Sequence, residues 1–143
     1  MKVYGIIPSR FGSSRFPGKP LAILAGKPLV AWVVDAVKKA TTLDEVIVAT
    51  DDERIAAAVQ QYEVPKTSRA AMLTALEKYE IKEFPIPELG DDDILVNIQG
   101  DEPLIDPILI DELVAKLKGD ERWSMATAVT PIKSAADLAA KTV

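Results

Sequence analysis

Two residue types are missing from this 143-residue chain, and each absence removes a class of chemistry. Without cysteine there is no disulfide framework and no thiolate, which suits the cytoplasm. Without histidine there is no imidazole to serve as general base or metal ligand, and a zinc site loses its usual donors. Any metal is therefore expected to be hard and oxygen-bound, with magnesium the first choice. Nor does any apolar run approach the ~20 residues that cross a membrane. The start is charged at Lys2 and lacks a long apolar core, so no signal peptide is expected. Internal repeats and low-complexity segments are also absent. What remains is 48% hydrophobic, which at this length supports one domain over residues 1–143 with its own core.

The net charge of −5 is unevenly spread. Residues 1–40 hold seven Lys or Arg against the single Asp35, whereas residues 41–143 hold ten against twenty-one Asp or Glu. Global acidity argues against a nucleic-acid partner. A locally cationic segment in an acidic protein fits a small polyanion better.

That cationic segment is the most informative stretch. The apolar run Val3–Ile7 predicts a buried strand stopped by Pro8. Aperiodic residues follow to Pro20, among them Arg10, Gly12, Ser13, Ser14, Arg15, Gly18 and Lys19. A loop after an early strand places such groups at the carboxyl edge of a parallel sheet, where open α/β sheets bind ligands. Small residues let backbone N–H groups approach phosphate oxygens, and Arg10, Arg15 and Lys19 can neutralise them. The alternative is a solvated basic surface loop. The loop is neither a Walker loop nor a dinucleotide fingerprint. Gly12 stands one residue too far from Gly18-Lys19, and Pro20 replaces the metal-holding Ser or Thr.

Further elements follow in order. Pro28 suits the first position of a helix whose Leu29, Trp32, Val33, Ala36 and Val37 share an apolar face, with Trp32 a core aromatic. Val46–Ala49 predicts a second strand, and Thr50-Asp51-Asp52-Glu53 a helix start, with Asp51 read as a cap and Ile55, Ala58 and Val59 inward. Glu63–Thr67 reads as a short edge strand and Arg69–Tyr79 as a helix capped by Ser68. A loop with Pro85, Pro87 and Gly90 leads to Ile94–Ile98, expected as a central apolar strand. Gly100 then permits a sharp turn that presents Asp101 and Glu102 at that strand's carboxyl end. Two carboxylates there approach a polyphosphate only through a cation, which makes Asp101 the magnesium candidate; the alternative is a pair of solvated turn residues. Asp106 and Pro107 start a helix with Ile110, Leu113, Val114 and Leu117 inward and Gly119 at its end. Met125–Val129 predicts another strand and Ala135–Lys141 a last helix capped by Ser134. The alternation indicates an α/β fold: a three-layer sandwich around a mainly parallel, Rossmann-like sheet.

The order Pro8-x-Arg10-x-x-Ser13-x-Arg15-x-Pro17-Gly18-Lys19-Pro20-Leu21, with Ala25-Gly26-Lys27-Pro28-Leu29 after it, resembles the N-terminal loop of the cytidylyltransferases that activate acidic sugars. It is most similar to the 3-deoxy-manno-octulosonate (Kdo) branch. Resemblance returns at Gln99-Gly100-Asp101-Glu102-Pro103. It covers residues 1–60 and 91–132, which is about the N-terminal half of that family, and implies a nucleotide-diphospho-sugar transferase-like fold. It further implies that Pro8, Arg10, Gly12, Ser13, Ser14, Arg15 and Lys19 wrap the triphosphate of CTP, with Arg10 and Lys19 the main contacts. Asp101 would bind magnesium and Gln99 would lie by the sugar. The family's Ser-Gly-Thr-Asp-Arg run has no counterpart; Thr67-Ser68-Arg69 is the nearest segment and takes no role.

The expected activity is transfer of CMP from CTP to Kdo with release of pyrophosphate, a step of lipopolysaccharide precursor activation. Partners would be CTP and an acidic sugar, with no nucleic acid and no membrane. No general base is visible. Two other readings stay open. One is a cytidylyltransferase for a different acidic sugar such as a neuraminate. The other is a truncated or remodelled α/β domain without activity, which keeps the loop as a relic and self-associates through an exposed sheet edge.

Overall fold

The computed structural model describes residues 1–12, 16–50, 52–61, 70–71 and 90–129. Its frame is a four-stranded parallel sheet in the order β5-β4-β1-β6, built from β1 (Val3–Ser9), β4 (Glu45–Thr50), β5 (Ala70–Ala71) and β6 (Ile94–Asn97). A small antiparallel hairpin joins β2 (Ile23–Leu24) to β3 (Lys27–Pro28) through Ala25 and Gly26, both at positive φ. Helices α1 (Leu29–Val37), α2 (Glu53–Gln61) and α3 (Pro107–Lys118) contribute to one core. Val30, Val33, Val34 and Val37 of α1 meet Ile55 and Val59 of α2 and Ile110 of α3 over Ile7 and Val48 of the sheet and Ile98 just after β6. The other face of the sheet carries a separate buried pair, Tyr4 and Ile47. Alternation along a strand explains the split, since successive side chains point to opposite faces. This is an α/β, Rossmann-like architecture, as the sequence indicated.

Several boundaries differ from the sequence reading for physical reasons. Strand β1 runs through Pro8 to Ser9. The N–H groups of Ile94 and Ile98 donate to the Lys2 and Ile6 carbonyls, so even-numbered positions of β1 face β6. Pro8 is the next of them, beyond the last paired residue of β6, and its missing N–H removes no ladder bond. Strand β6 lies at an edge among the described residues, with Leu95 51% exposed, not at the centre. Ala70 and Ala71 pair in parallel with Val48 and Ala49 where a helix was expected. Small apolar residues fit either period, and the open edge of β4 decided the outcome. Residues 125–129 form no strand, and Met125 and Val129 are 82% and 84% exposed. Strand propensity alone does not make a strand, and this segment pairs with no strand among the described residues. The expected strand at 63–67, the rest of the helix at 69–79 and the helix at 135–141 lie outside the described residues.

Helix starts follow their chemistry. Asp106 accepts the Ile108 N–H at 2.9 Å with Pro107 first in the helix, as expected. Asp52 caps α2, its Oδ1 accepting the Arg54 N–H at 2.9 Å, while Asp51 lies outside the described residues. Pro28 sits just before α1 and not within it. Trp32 is not a core aromatic; its indole N–H donates to the Leu24 carbonyl at 2.6 Å and Lys27 lies 3.8 Å over its ring, clamping the hairpin to α1. Lys27 is also paired with Asp35.

Asp111 on α3 ties the α1–β4 connection to that helix. Its carboxylate accepts the backbone N–H groups of Thr41 and Thr42 at 2.8–3.0 Å and both hydroxyls, which hold its pKa down to about 2, the Thr41 N–H most strongly. A depressed carboxylate pKa stabilises the fold above the unfolded value near 3.9, and the contribution is lost as pH falls toward 2. Asp111→Asn is expected to lower stability at pH 6 by about 1–2 kcal/mol, discounted for partial exposure. The gap to wild type should close in urea titrations as pH falls from about 4 to 2. A gap that stays constant with pH would show that the charge is not what the four donors recognise.

Candidate functional site

The carboxyl ends of β1 and β6 face the loop that follows β1, and a cleft of about 390 Å³ opens there. Pro8, Ser9, Arg10, Lys19, Pro20, Asn97, Gln99, Gly100 and Asp101 line it. In open α/β sheets this is where ligands bind, because loops at the carboxyl edge diverge and leave a crevice.

Loop geometry delivers the cations. The Gly18 N–H donates to the Phe11 carbonyl at 2.8 Å, which ties these two loop positions together. Gly18 has φ 72°, and a Cβ there would stand 3.0 Å from Phe11 Cε2, so both conformation and space require glycine. A single 3₁₀ turn, Lys19–Leu21, continues from it with Pro20 buried. Lys19 thereby points across the cleft and its Nζ meets Asp101 Oδ2 at 2.5 Å, joining residues 82 positions apart. Both side chains remain more than 40% exposed, at 41% and 44%, so the pair can exchange partners. Arg10 lines the same cleft and is exposed.

The opposite wall is set by Gly100. A Cβ at this position would lie 2.5 Å from the Pro8 carbonyl oxygen and 2.7 Å from Ser9 Oγ, so only glycine lets the β6 turn pass against β1. Ser9 is 2% exposed and its hydroxyl has no hydrogen-bond partner among the described residues. Such a group is normally satisfied.

Of the residues expected from sequence, the cleft gathers Pro8, Arg10, Lys19, Gln99 and Asp101. Gly12 is exposed and does not line it. Ser13, Ser14 and Arg15 lie outside the described residues. Sequence reasoning missed Ser9 and Asn97. The signals were present: Asn97 interrupts an otherwise apolar strand, and Ser9 follows the proline of the loop motif. A larger groove of about 710 Å³ runs beside α3, lined by Leu109, Leu113, Lys116 and Trp123 among others, and contains none of the expected groups. No helix among the described residues is long and apolar enough to cross a membrane.

A divalent ion fits the donor set. Asp101, Gln99 and Asn97 offer only oxygen or amide donors on one wall, which suits magnesium. Among the described residues, however, no three acidic side chains converge. Magnesium typically takes one or two carboxylates and completes its shell with phosphate and water, so Asp101 suffices only if a phosphate ligand is present.

The family model for cytidylyltransferases matches residues 4–141. The chain belongs to the cytidylyltransferase family. It is 46% identical over 140 residues to the 3-deoxy-manno-octulosonate cytidylyltransferase of Geotalea daltonii, covering 96% of this chain and 53% of that protein. It is 44% identical to the mitochondrial 3-deoxy-manno-octulosonate cytidylyltransferase of Arabidopsis thaliana, covering 92% of this chain and 45% of the other. A solved CMP:2-keto-3-deoxy-manno-octonic acid synthetase, complexed with CTP, matches with a TM-score of 0.64 and 32% identity over 85% of this chain and 49% of that one. The chain thus spans about half the length of the curated relatives it matches. The cleft places two cations, Arg10 and Lys19, and one carboxylate, Asp101, at the carboxyl edge of the sheet.

Proposed function

We propose that the cleft binds magnesium-CTP and serves transfer of CMP to the acidic sugar Kdo. The observation that supports this is the Lys19–Asp101 juxtaposition beside Arg10, a cation and a metal-competent carboxylate sharing one phosphate-sized space. Lys19 and Arg10 would take the β- and γ-phosphate oxygens, neutralising them by charge-assisted hydrogen bonds. Gln99, on the wall away from the loop, would orient the sugar acid. The sugar's anomeric hydroxyl oxygen forms the new bond to the α-phosphorus as the bond to the β-phosphate oxygen breaks. The electron pair leaves with pyrophosphate and the hydroxyl proton passes to solvent. Magnesium, when bound, supplies charge neutralisation on phosphate oxygens and a lowered pKa of the attacking hydroxyl. Such chemistry asks for positioning and charge more than for a protein nucleophile, which suits a cleft without histidine or cysteine.

The test is calorimetric titration of the intact chain with CTP, with and without magnesium, and of magnesium alone. Saturable CTP binding that magnesium strengthens, with no binding of magnesium by itself, is expected because no three acidic side chains converge at Asp101 among the described residues. Magnesium-independent binding, or none, would overturn the proposal. A matched titration with a neuraminate in place of Kdo, followed by pyrophosphate release, decides the sugar.

A further inference from the structure

Arg54 lies on α2, outside the cleft lining, yet it is built into the loop. Its guanidinium carbon stands 3.6 Å from the centroid of the Phe11 ring. The same ring packs against Gly18, and the Phe11 carbonyl accepts the Gly18 N–H. Asp52 holds the guanidinium from behind in a two-point contact, Nε to Oδ1 at 2.9 Å and Nη2 to Oδ2 at 2.7 Å. The bidentate contact fixes the plane of the guanidinium and not merely its charge. It draws the Asp52 pKa down to about 2, so the pair is ionised at neutral pH.

We propose that Arg54 is a positioning residue for nucleotide binding, acting through the Phe11 ring to hold Gly18 and the 3₁₀ turn after it that presents Lys19 to the cleft. The chain of contacts is continuous: Asp52 to Arg54, Arg54 to Phe11, Phe11 to Gly18, and Gly18 to the 3₁₀ turn whose first residue is Lys19. The side chain of Arg54 is 61% exposed, so its replacement removes little core. Its effect should appear in the loop and not in global stability. This inference rests on the nucleotide-binding reading only for its affinity arm; its loop arm is read without ligand.

Arg54→Lys keeps the charge and loses the plane, while Phe11→Leu keeps apolar bulk and loses the ring. In the ligand-free protein, each variant should speed hydrogen exchange of the Gly18 amide about fivefold to tenfold, leaving the Ile6 and Ile47 amides unchanged. Each should also weaken magnesium-CTP binding by a similar factor of about five to ten, and the double variant should lose no more than either single one. Unchanged Gly18 exchange overturns the proposal. So does faster exchange with unaltered affinity in a protein whose Lys19→Ala variant does bind CTP more weakly. Affinity lost in Arg54→Ala but kept in both Arg54→Lys and Phe11→Leu would show a direct phosphate contact and would also overturn it. If the wild type does not bind CTP, the nucleotide reading fails and Gly18 exchange alone judges whether Arg54 holds the turn.

Discussion

Lys19→Ala is expected to weaken magnesium-CTP binding by roughly one to two decades in calorimetry. A charge-assisted contact to phosphate is worth about 1.5–3 kcal/mol, whereas an exposed ion pair such as Lys19–Asp101 holds about 0–1 kcal/mol. The ligand-free pair is therefore a weak competitor, and most of the phosphate contact survives as net affinity. Because the Lys19 side chain is 41% exposed, the variant should melt close to wild type. Pro20, which is buried, and Gly18 keep the turn in place. Unchanged affinity would remove Lys19 from the site.

Asp101→Asn should abolish the response of CTP affinity to magnesium while leaving the fold intact. Asparagine keeps the shape of aspartate but lacks the charge that magnesium requires. The same change frees Lys19 from its partner and removes a negative charge from the cleft. Without magnesium, the variant should thus bind CTP at least as well as wild type. Loss of the metal effect together with preserved metal-free binding is a signature that a general disruption of the cleft cannot imitate. A variant that unfolds, or one whose affinity still rises with magnesium, would show that Asp101 is not the metal's carboxylate.

Much of the site was legible because its parts are local words. The loop from Pro8 to Leu21 and the turn Gln99–Pro103 each carry their own chemistry, glycines where backbone must turn and charges where a polyanion would lie. The relation between them was legible only as an expectation. Nothing in residue spacing says that Lys19 Nζ reaches Asp101; the parallel pairing of β1 with β6 brings the two strand ends together. Less legible were residues whose roles depend on a neighbour. Ser9 is an unremarkable loop residue in sequence and, in the fold, a buried hydroxyl with no partner among the described residues. Trp32 shares an apolar helical face, but its indole N–H needs an acceptor, and the Leu24 carbonyl supplied one at the surface.

The sequence by itself narrowed the class of chemistry. Lacking histidine and cysteine, the chain offers no imidazole or thiolate, and its first forty residues carry a net positive charge, seven Lys or Arg against Asp35. It also determined the α/β alternation, since buried strand runs and capped amphipathic helices are set within single segments. Only the tertiary structure decided that Ala70 and Ala71 pair as a strand, that Met125–Val129 does not, and that Arg54 reaches the loop through Phe11. Each of these depends on contacts distant in sequence. A strand forms only where the fold brings it alongside a partner, and a guanidinium stacks where the fold delivers a ring.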